Sequence, residues 1–282
     1  MILDKKLIDL FIKNAIAEDL GDGDHTSNST IPADARGKAK LLIKEDGILA
    51  GVTLALEIFN YIDSTLQATV FLNDGDEVKF GDVALTVEGS SRSILLAERL
   101  VLNCMQRMSG IATKTNRIVH LLESYPTKLL DTRKTTPGMR YLEKWAVRIG
   151  GGVNHRIGLY DMILIKDNHV DYAGGIANAI NASNQYLADK GKQLDIEIEV
   201  RDLEELDQVL KTGKVQRIML DNFDFPDLKK AVDLIDHKYI TEASGGITEE
   251  NITAYADCGV DYISMGALTH SVKSLDMSLK AY

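Results

Sequence analysis

Cysteine is scarce: Cys104 and Cys258 are the only two in the chain. They are too few and too far apart for a disulfide framework or a zinc site, so both read as buried thiols. Nowhere do 18 apolar residues run together, and the first residues lack the basic head, apolar core and small-residue cleavage site of a leader. The expectation is a soluble, cytoplasmic protein that does not enter membranes. Positive charge is in deficit, with 32 Lys and Arg against 42 Asp and Glu and a net charge of −10, which argues against nucleic acid as a partner. Four prolines and no low-complexity tract leave little room for linkers or disorder. A P-loop, a Ser-His-Asp grammar and clustered metal histidines are missing too, and Gly150 to Gly152 do not follow a strand as a dinucleotide fingerprint would.

What remains is a 282-residue globular chain, 45% hydrophobic, long enough for one large domain or two modest ones. Residues 2–17 place Leu3, Leu7, Ile8, Phe11, Ile12, Ala15 and Ile16 at helical spacing. The stretch 17–30, AEDLGDGDHTSNST, reads as a loop; Asp19, Asp22 and Asp24 do not have EF-hand spacing, so a turn capping its own backbone is the better reading than calcium. Short alternating strands and a helix follow between 37 and 89, giving a small mixed sheet. Residues 93–125 read as one long helix, or two with a break near Ser109 and Gly110. The periodicity alone puts Arg99 and Arg107 on its solvent face.

From Lys128 onward strands and helices alternate. Strands are expected near 128–132, 161–166, 196–200, 217–221, 239–244 and 262–266, with helices at 172–190, 202–212, 225–236 and 248–257. That alternation implies parallel strands in an α/β fold. Polar groups stand at nearly every strand's C-terminal end: Asp131 with Arg133 and Lys134, Lys166, Glu199, Asp221, Ser244 with Gly245 and Gly246, and Gly266. Such a ring is the barrel arrangement, whereas an open sheet would gather them at one switch point.

The ring has three chemical components. Arg133, Lys134, His155, Arg156 and Lys166 suit carboxylates or phosphates. The stretch 128–156 carries seven Lys and Arg against only Asp131 and Glu143, in a chain that is acidic overall, so a small polyanion is the expected ligand. Glu199 and Asp221 are carboxylates that suit magnesium, or equally structural partners for the lysines. The SGGIT segment at 244–248 offers backbone N–H groups ahead of a helix expected to be capped by Thr248, and Gly266 adds more; phosphate sites of barrels are built this way. A Schiff base on Lys166 stays open, with charge pairing favoured.

Several long stretches together carry a resemblance: AERLVLNCMQRMSGIAT at 97–113, DTRKTTPGMR at 131–140, GGGVNHRIGLYDMILIKDNH at 150–169, IEIEV, MLDNF, EASGGIT and SMGALTHS. The chain resembles the quinolinate phosphoribosyltransferase family, the decarboxylating nicotinate-nucleotide pyrophosphorylases. Trp145 departs from the family's more usual Tyr, away from the site residues. The resemblance implies an N-terminal mixed α/β sandwich domain over 1–112, a C-terminal incomplete (β/α) barrel of type II phosphoribosyltransferase kind over 113–270, and a helical tail, 271–282, packed back on the first domain. It implies a homodimer in which Arg99 reaches the neighbour's barrel and, with Arg133, His155 and Arg156, holds quinolinate. Lys134 and Lys166 would sit where the substrates meet, and Glu199 and Asp221 would hold the ribose hydroxyls and magnesium, in part through water. Ser244, Gly245, Gly246, Gly266 and His270 would cradle the 5-phosphate of phosphoribosyl pyrophosphate. Rival readings are a related phosphoribosyltransferase for nicotinate or another carboxylated ring, and a catalytically silent paralogue that only binds phosphoribosyl pyrophosphate.

Overall fold

The computed structural model describes residues 4–282, so Leu3 of the expected first helix lies outside the described residues. The chain begins α1 (Lys5–Leu20), α2 (His25–Thr30), β1 (Arg36–Ile43), β2 (Gly47–Ile48), α3 (Val52–Ile62), β3 (Gln67–Val70), β4 (Glu77–Val78), β5 (Val83–Ser90) and α4 (Ser91–Leu121). It continues β6 (Lys128–Leu130), α5 (Arg140–Ile149), β7 (Ile163–Ile165), α6 (Asp167–Ala173), α7 (Ile176–Lys190), β8 (Ile196–Val200), α8 (Leu203–Thr212) and β9 (Arg217–Asp221). It ends α9 (Phe225–Ile235), β10 (Ile240–Ser244), α10 (Ile252–Asp257), β11 (Tyr262–Ser264), α11 (Ala267–His270) and β12 (Met277–Ala281). Among the described residues no helix is long and apolar enough to cross a membrane.

The chain divides into two compact units. The first gathers Met1–Asn116, Thr135–Gly151 and Ala267–Tyr282, the second Arg117–Lys134 and Gly152–Gly266. The first unit includes the chain end, where the resemblance put the tail, and also takes in α5, which the resemblance put beyond the boundary at 112. Its antiparallel sheet runs β12-β1-β5-β3. The tail expected to be helical is the strand β12, paired with β1 from Ala39↔Ala281 to Ile43↔Met277. Met277 and Leu279 are buried while Lys280 is exposed, an alternation with period two that is too short to distinguish from a helical repeat by eye.

Two further expectations change in this unit. The Asp-rich stretch holds a short helix, α2, because the Asp24 side chain accepts from Ser27 N at 2.9 Å and caps it. Helix α4 runs through Ser109 and Gly110 without a break. Ser109 is fully buried, and its hydroxyl accepts from Ala50 N at 2.8 Å and donates to Ala50 O at 3.1 Å, while a Cβ on Gly110 would lie 2.2 Å from the Lys273 carbonyl oxygen. Gly110 thus permits a close approach within the helix and does not end it. Arg107, expected on the solvent face, instead pairs with the fully buried Glu143 of α5 at 2.9 Å. Glu143 also accepts from Thr136 Oγ1 at 2.7 Å, and its pair with Arg107 ties Thr135–Gly151 to α4 within the first unit.

The second unit is a parallel six-stranded sheet in the order β6-β11-β10-β9-β8-β7. The last five strands in sequence lie side by side in sequence order, and β6 adds to the far end, leaving β6 and β7 as the two edges. An isolated parallel bridge, Leu130↔Val153, extends the β6 edge. The expected helix 172–190 is two, α6 and α7, separated by Gly174 (φ 79) and Gly175 (φ 121) in conformations that L side chains rarely adopt.

Ala in place of Gly usually stabilises a helix interior by about 1 kcal/mol. At Gly110 the sign reverses: Gly110→Ala is expected to destabilise by roughly 1–3 kcal/mol through overpacking against Lys273, measured as a shift in urea midpoint at constant m-value.

Candidate active site

Strand alternation decides which side chains face the interior of the second unit. Successive residues point to opposite faces, so Glu197 and Glu199 share one face of β8, as do Arg217, Met219 and Asp221 on β9 and Glu242 and Ser244 on β10. The register sets Glu197 opposite Arg217, Glu242 opposite Met219, and Ser244 opposite Asp221. Ile196, Ile198 and Val200 supply the apolar other face, and β8 is buried along its whole length.

At the base of this face lies a buried ionic cluster. His155 Nε2 is 2.8 Å from Glu197 Oε2 and 3.4 Å from Glu242 Oε2. Arg217 approaches the same two carboxylates, at 3.9 Å from Glu197 Oε1 and 3.4 Å from Glu242 Oε2, with its guanidinium 4.8 Å from the centre of the Tyr262 ring. Both glutamates are 0% exposed. Burial alone would lower the His155 pKa, but the two carboxylates carry it up to about 9. The Arg156 N–H donates to His155 Nδ1 at 2.8 Å, which directs Nε2 toward Glu197. Burial and the adjacent Glu242 charge raise Glu197 to about 7, against the pull of His155 and Arg217. Burial also acts on Glu242, yet its hydrogen bond with His155 keeps it below the ordinary range. These three ligand types could in principle hold a metal, but the Arg217 guanidinium already supplies the cation there.

Above the cluster a cavity of roughly 170 Å³ is lined by Arg133, Lys134, Arg156 and Lys166, with His155, Glu242, Thr132, Ser244, Ser264, Leu164 and Met219. Fully buried Asp131, just past β6, fixes one wall: its Oδ1 accepts from His155 N at 2.9 Å and its Oδ2 from Asn154 Nδ2 at 2.6 Å. Thr132 Oγ1 accepts from Lys134 N at 3.0 Å. Arg156 donates through its guanidinium to Met162 O at 3.2 Å, ahead of β7. Burial, and then the neighbouring Arg133, push the Arg156 pKa down. Four cations around one small cavity repel each other, and an anion bound among them relieves that repulsion.

The structure thus brings together Arg133, Lys134, His155, Arg156, Lys166 and Ser244 of the residues singled out from sequence. Glu199 joins them through a 2.7 Å ion pair with Lys166. Asp221, Gly245, Gly246 and Gly266 stand at the C-terminal ends of β9, β10 and β11. Arg99 is exposed on α4, and His270 is exposed with its Nδ1 2.8 Å from Ser271 Oγ; both belong to the first unit. The helix expected right after the glycines begins only at Ile252, because Asn251 Oδ1 accepts from Thr248 N at 2.8 Å and makes a turn first. Thr248 therefore caps no helix, and the glycine turn offers backbone N–H groups without a helix end directly behind them. Sequence reading passed over Glu197, Arg217, Glu242 and Ser264. The signal was there: three of them sit two residues before Glu199, Met219 and Ser244 on the same strand faces.

Arg217→Met leaves two buried carboxylates with less compensation and is expected to cost about 3–5 kcal/mol of stability. Glu197 has its folded pKa raised to about 7 from 4.5, so ionising it lowers stability as pH rises through that window. The loss in Arg217→Met should therefore be larger at pH 8 than at pH 5, read from urea denaturation at each.

Comparison with known proteins agrees with this geometry. Residues 24–109 match the family model described as quinolinate phosphoribosyl transferase, N-terminal domain, and residues 111–280 match the C-terminal domain model. The chain is 48% identical to quinolinate phosphoribosyltransferase (decarboxylating) 1b of Nicotiana tabacum, over 95% of this chain and 81% of that one. Identity is also 48%, with the same coverage, to the chloroplastic nicotinate-nucleotide pyrophosphorylase (carboxylating) of Arabidopsis thaliana. The solved structure of the nicotinate-nucleotide pyrophosphorylase from Francisella tularensis superposes with a TM-score of 0.91 at 40% identity, covering 99% of this chain and 98% of that one. With both domain models matched end to end and a cation-lined pocket on the inner face of its parallel sheet, the chain belongs to the quinolinate phosphoribosyltransferase family.

Proposed function

We propose that the protein transfers the phosphoribosyl group of phosphoribosyl pyrophosphate to quinolinate with decarboxylation, giving nicotinate mononucleotide, pyrophosphate and carbon dioxide in NAD biosynthesis. The observation that carries this reading is the cavity with Arg133, Lys134, Arg156 and Lys166 on its walls. It is small enough for one aromatic ring and has more cations than a single carboxylate would neutralise. Nicotinate, with one carboxylate, would engage fewer of these cations than quinolinate with two, which is the physical basis for choosing quinolinate over it.

Arg133 and Arg156 offer two-pronged hydrogen bonds to the ring carboxylates, and His155 orients Arg156 through the backbone N–H bonded to its ring. Lys166, held by Glu199, meets the pyrophosphate side together with Lys134. As the bond from the ribose carbon to pyrophosphate breaks, positive charge grows on that carbon, and the carboxylates of Glu199 and Asp221 stabilise it. The ring nitrogen forms the new bond and becomes cationic. Its positive charge then stabilises the electron pair left on the neighbouring ring carbon when that carbon's carboxylate leaves as carbon dioxide, and a proton adds to that pair while the ring nitrogen stays cationic.

Glu199 and Asp221 fit magnesium by their chemistry: both are hard oxygen donors at the ends of adjacent strands, and magnesium needs few protein ligands because it keeps its waters. When bound there it would neutralise charge on the departing pyrophosphate. The working form is read as a homodimer in which Arg99, exposed on α4, completes the partner's carboxylate site. Two free, buried cysteines, with the Cys104 thiol pushed up to about 12 by burial, suit a reducing compartment such as the cytoplasm.

Mixing the protein with quinolinate, phosphoribosyl pyrophosphate and magnesium should yield nicotinate mononucleotide and carbon dioxide in equal amounts. Product from nicotinate alone, without carbon dioxide, would point to the related transferase, and no product from either acid to the silent paralogue. Arg133→Ala is expected to lose about 2–5 kcal/mol of quinolinate binding; unchanged affinity would remove Arg133 from the carboxylate site. Arg99→Ala should abolish turnover while the melting temperature stays the same, and full activity in this variant would rule out a shared site.

A further inference from the structure

Asn222 follows Asp221 at the end of β9 and has φ 56, in the left-handed region that glycine enters freely and asparagine more readily than most other residues. That conformation does not by itself select an amide over glycine, and three contacts indicate what the amide does. Asn222 Nδ2 donates to Asp221 Oδ2 at 2.6 Å. Asn222 N donates to Ser244 O at 2.8 Å. Its amide also lies flat against the glycine turn: a Cβ on Gly245 would be 2.1 Å from Asn222 Oδ1 and 2.5 Å from its Cγ. Gly245 itself has φ 93. The two residues are complementary, one supplying an amide where the other supplies no side chain.

We propose that Asn222 is a positioning residue that couples the Asp221 carboxylate to the Ser244–Gly246 turn, so that the sugar end and the phosphate end of phosphoribosyl pyrophosphate meet groups held at one fixed spacing. The inference rests on the reading of Asp221 as a sugar-side group and of the glycine turn as the phosphate cradle. The ribose ring fixes the separation of its own hydroxyls and 5-phosphate. A protein whose two receptor groups move independently must order them on binding, and a side chain that links them removes that cost beforehand. Neither backbone strain nor the strand register requires an amide at this position: glycine would satisfy both.

The test is Asn222→Gly, which keeps the backbone conformation and the N–H bond to Ser244 O but deletes the amide that contacts Asp221 and Gly245. With magnesium saturating, the KM for phosphoribosyl pyrophosphate should rise about tenfold or more, the scale of one lost hydrogen bond to a charged group. The KM for quinolinate should not change, and the melting temperature should stay the same or rise as strain is relieved. Gly245→Ala should cost more in the wild type than in the Asn222→Gly background, because the left-handed strain on alanine is common to both and the clash with the amide is not. Asp221→Asn separates the inference from the reading beneath it. If Asp221→Asn raises the KM for phosphoribosyl pyrophosphate while Asn222→Gly does not, the coupling role is wrong and the Asp221 reading stands. If neither variant moves that KM, the Asp221 reading falls and the inference with it. A rise in both substrates' KM together with a lower melting temperature would make Asn222 merely structural and overturn the proposal.

Discussion

Two glutamates with no exposure, Glu197 and Glu242, stand beneath a pocket built for anions. Buried carboxylates are costly unless compensated, and here His155 and Arg217 compensate them from within the same unit. The arrangement anchors His155, whose ring holds the Arg156 backbone, beneath a cavity whose walls carry Arg133, Lys134, Arg156 and Lys166. Because the carboxylates are matched within the cluster, the cavity above keeps its positive character.

The fold serves this layering by simple means. Six parallel strands point their C-terminal ends the same way, so residues far apart in sequence converge, and a period of two assigns alternate side chains to the interior. On β8, β9 and β10 the deeper inward residues Glu197, Arg217 and Glu242 form the ionic cluster, and Glu199, Asp221 and Ser244 stand on the same faces nearer the strands' C-terminal ends. Asn222 then ties two of those outer groups to each other. Position, charge and spacing are thus set by neighbouring strands, with the loops supplying glycines and the basic side chains.

Much of this was legible in the residues. Alternating strands and helices after Lys128, polar groups at strand ends and the cation-rich stretch 128–156 follow from local periodicity and composition, and they led to the pocket and to Arg133, Lys134, Arg156, Lys166 and Ser244. Misreadings arose where two periodicities compete over a few residues or where a glycine has more than one use. The tail at 277–281 is too short to distinguish strand from helix without its partner β1, and Gly110 looked like a helix break because the Lys273 carbonyl it admits is distant in sequence.

Sequence by itself determined the alternation of strands and helices after Lys128, the polar groups at the strand ends, and that cations cluster near two candidate carboxylates, because these depend on spacing along the chain. Only the tertiary structure decided that Arg107 is a buried partner of Glu143, that Glu197, Glu242 and Arg217 form the floor under the site, and that Asn222 lies against Gly245. Each of those depends on a neighbour brought close by folding, and the energy of a charge or an amide is fixed by what surrounds it in space, which no local pattern encodes.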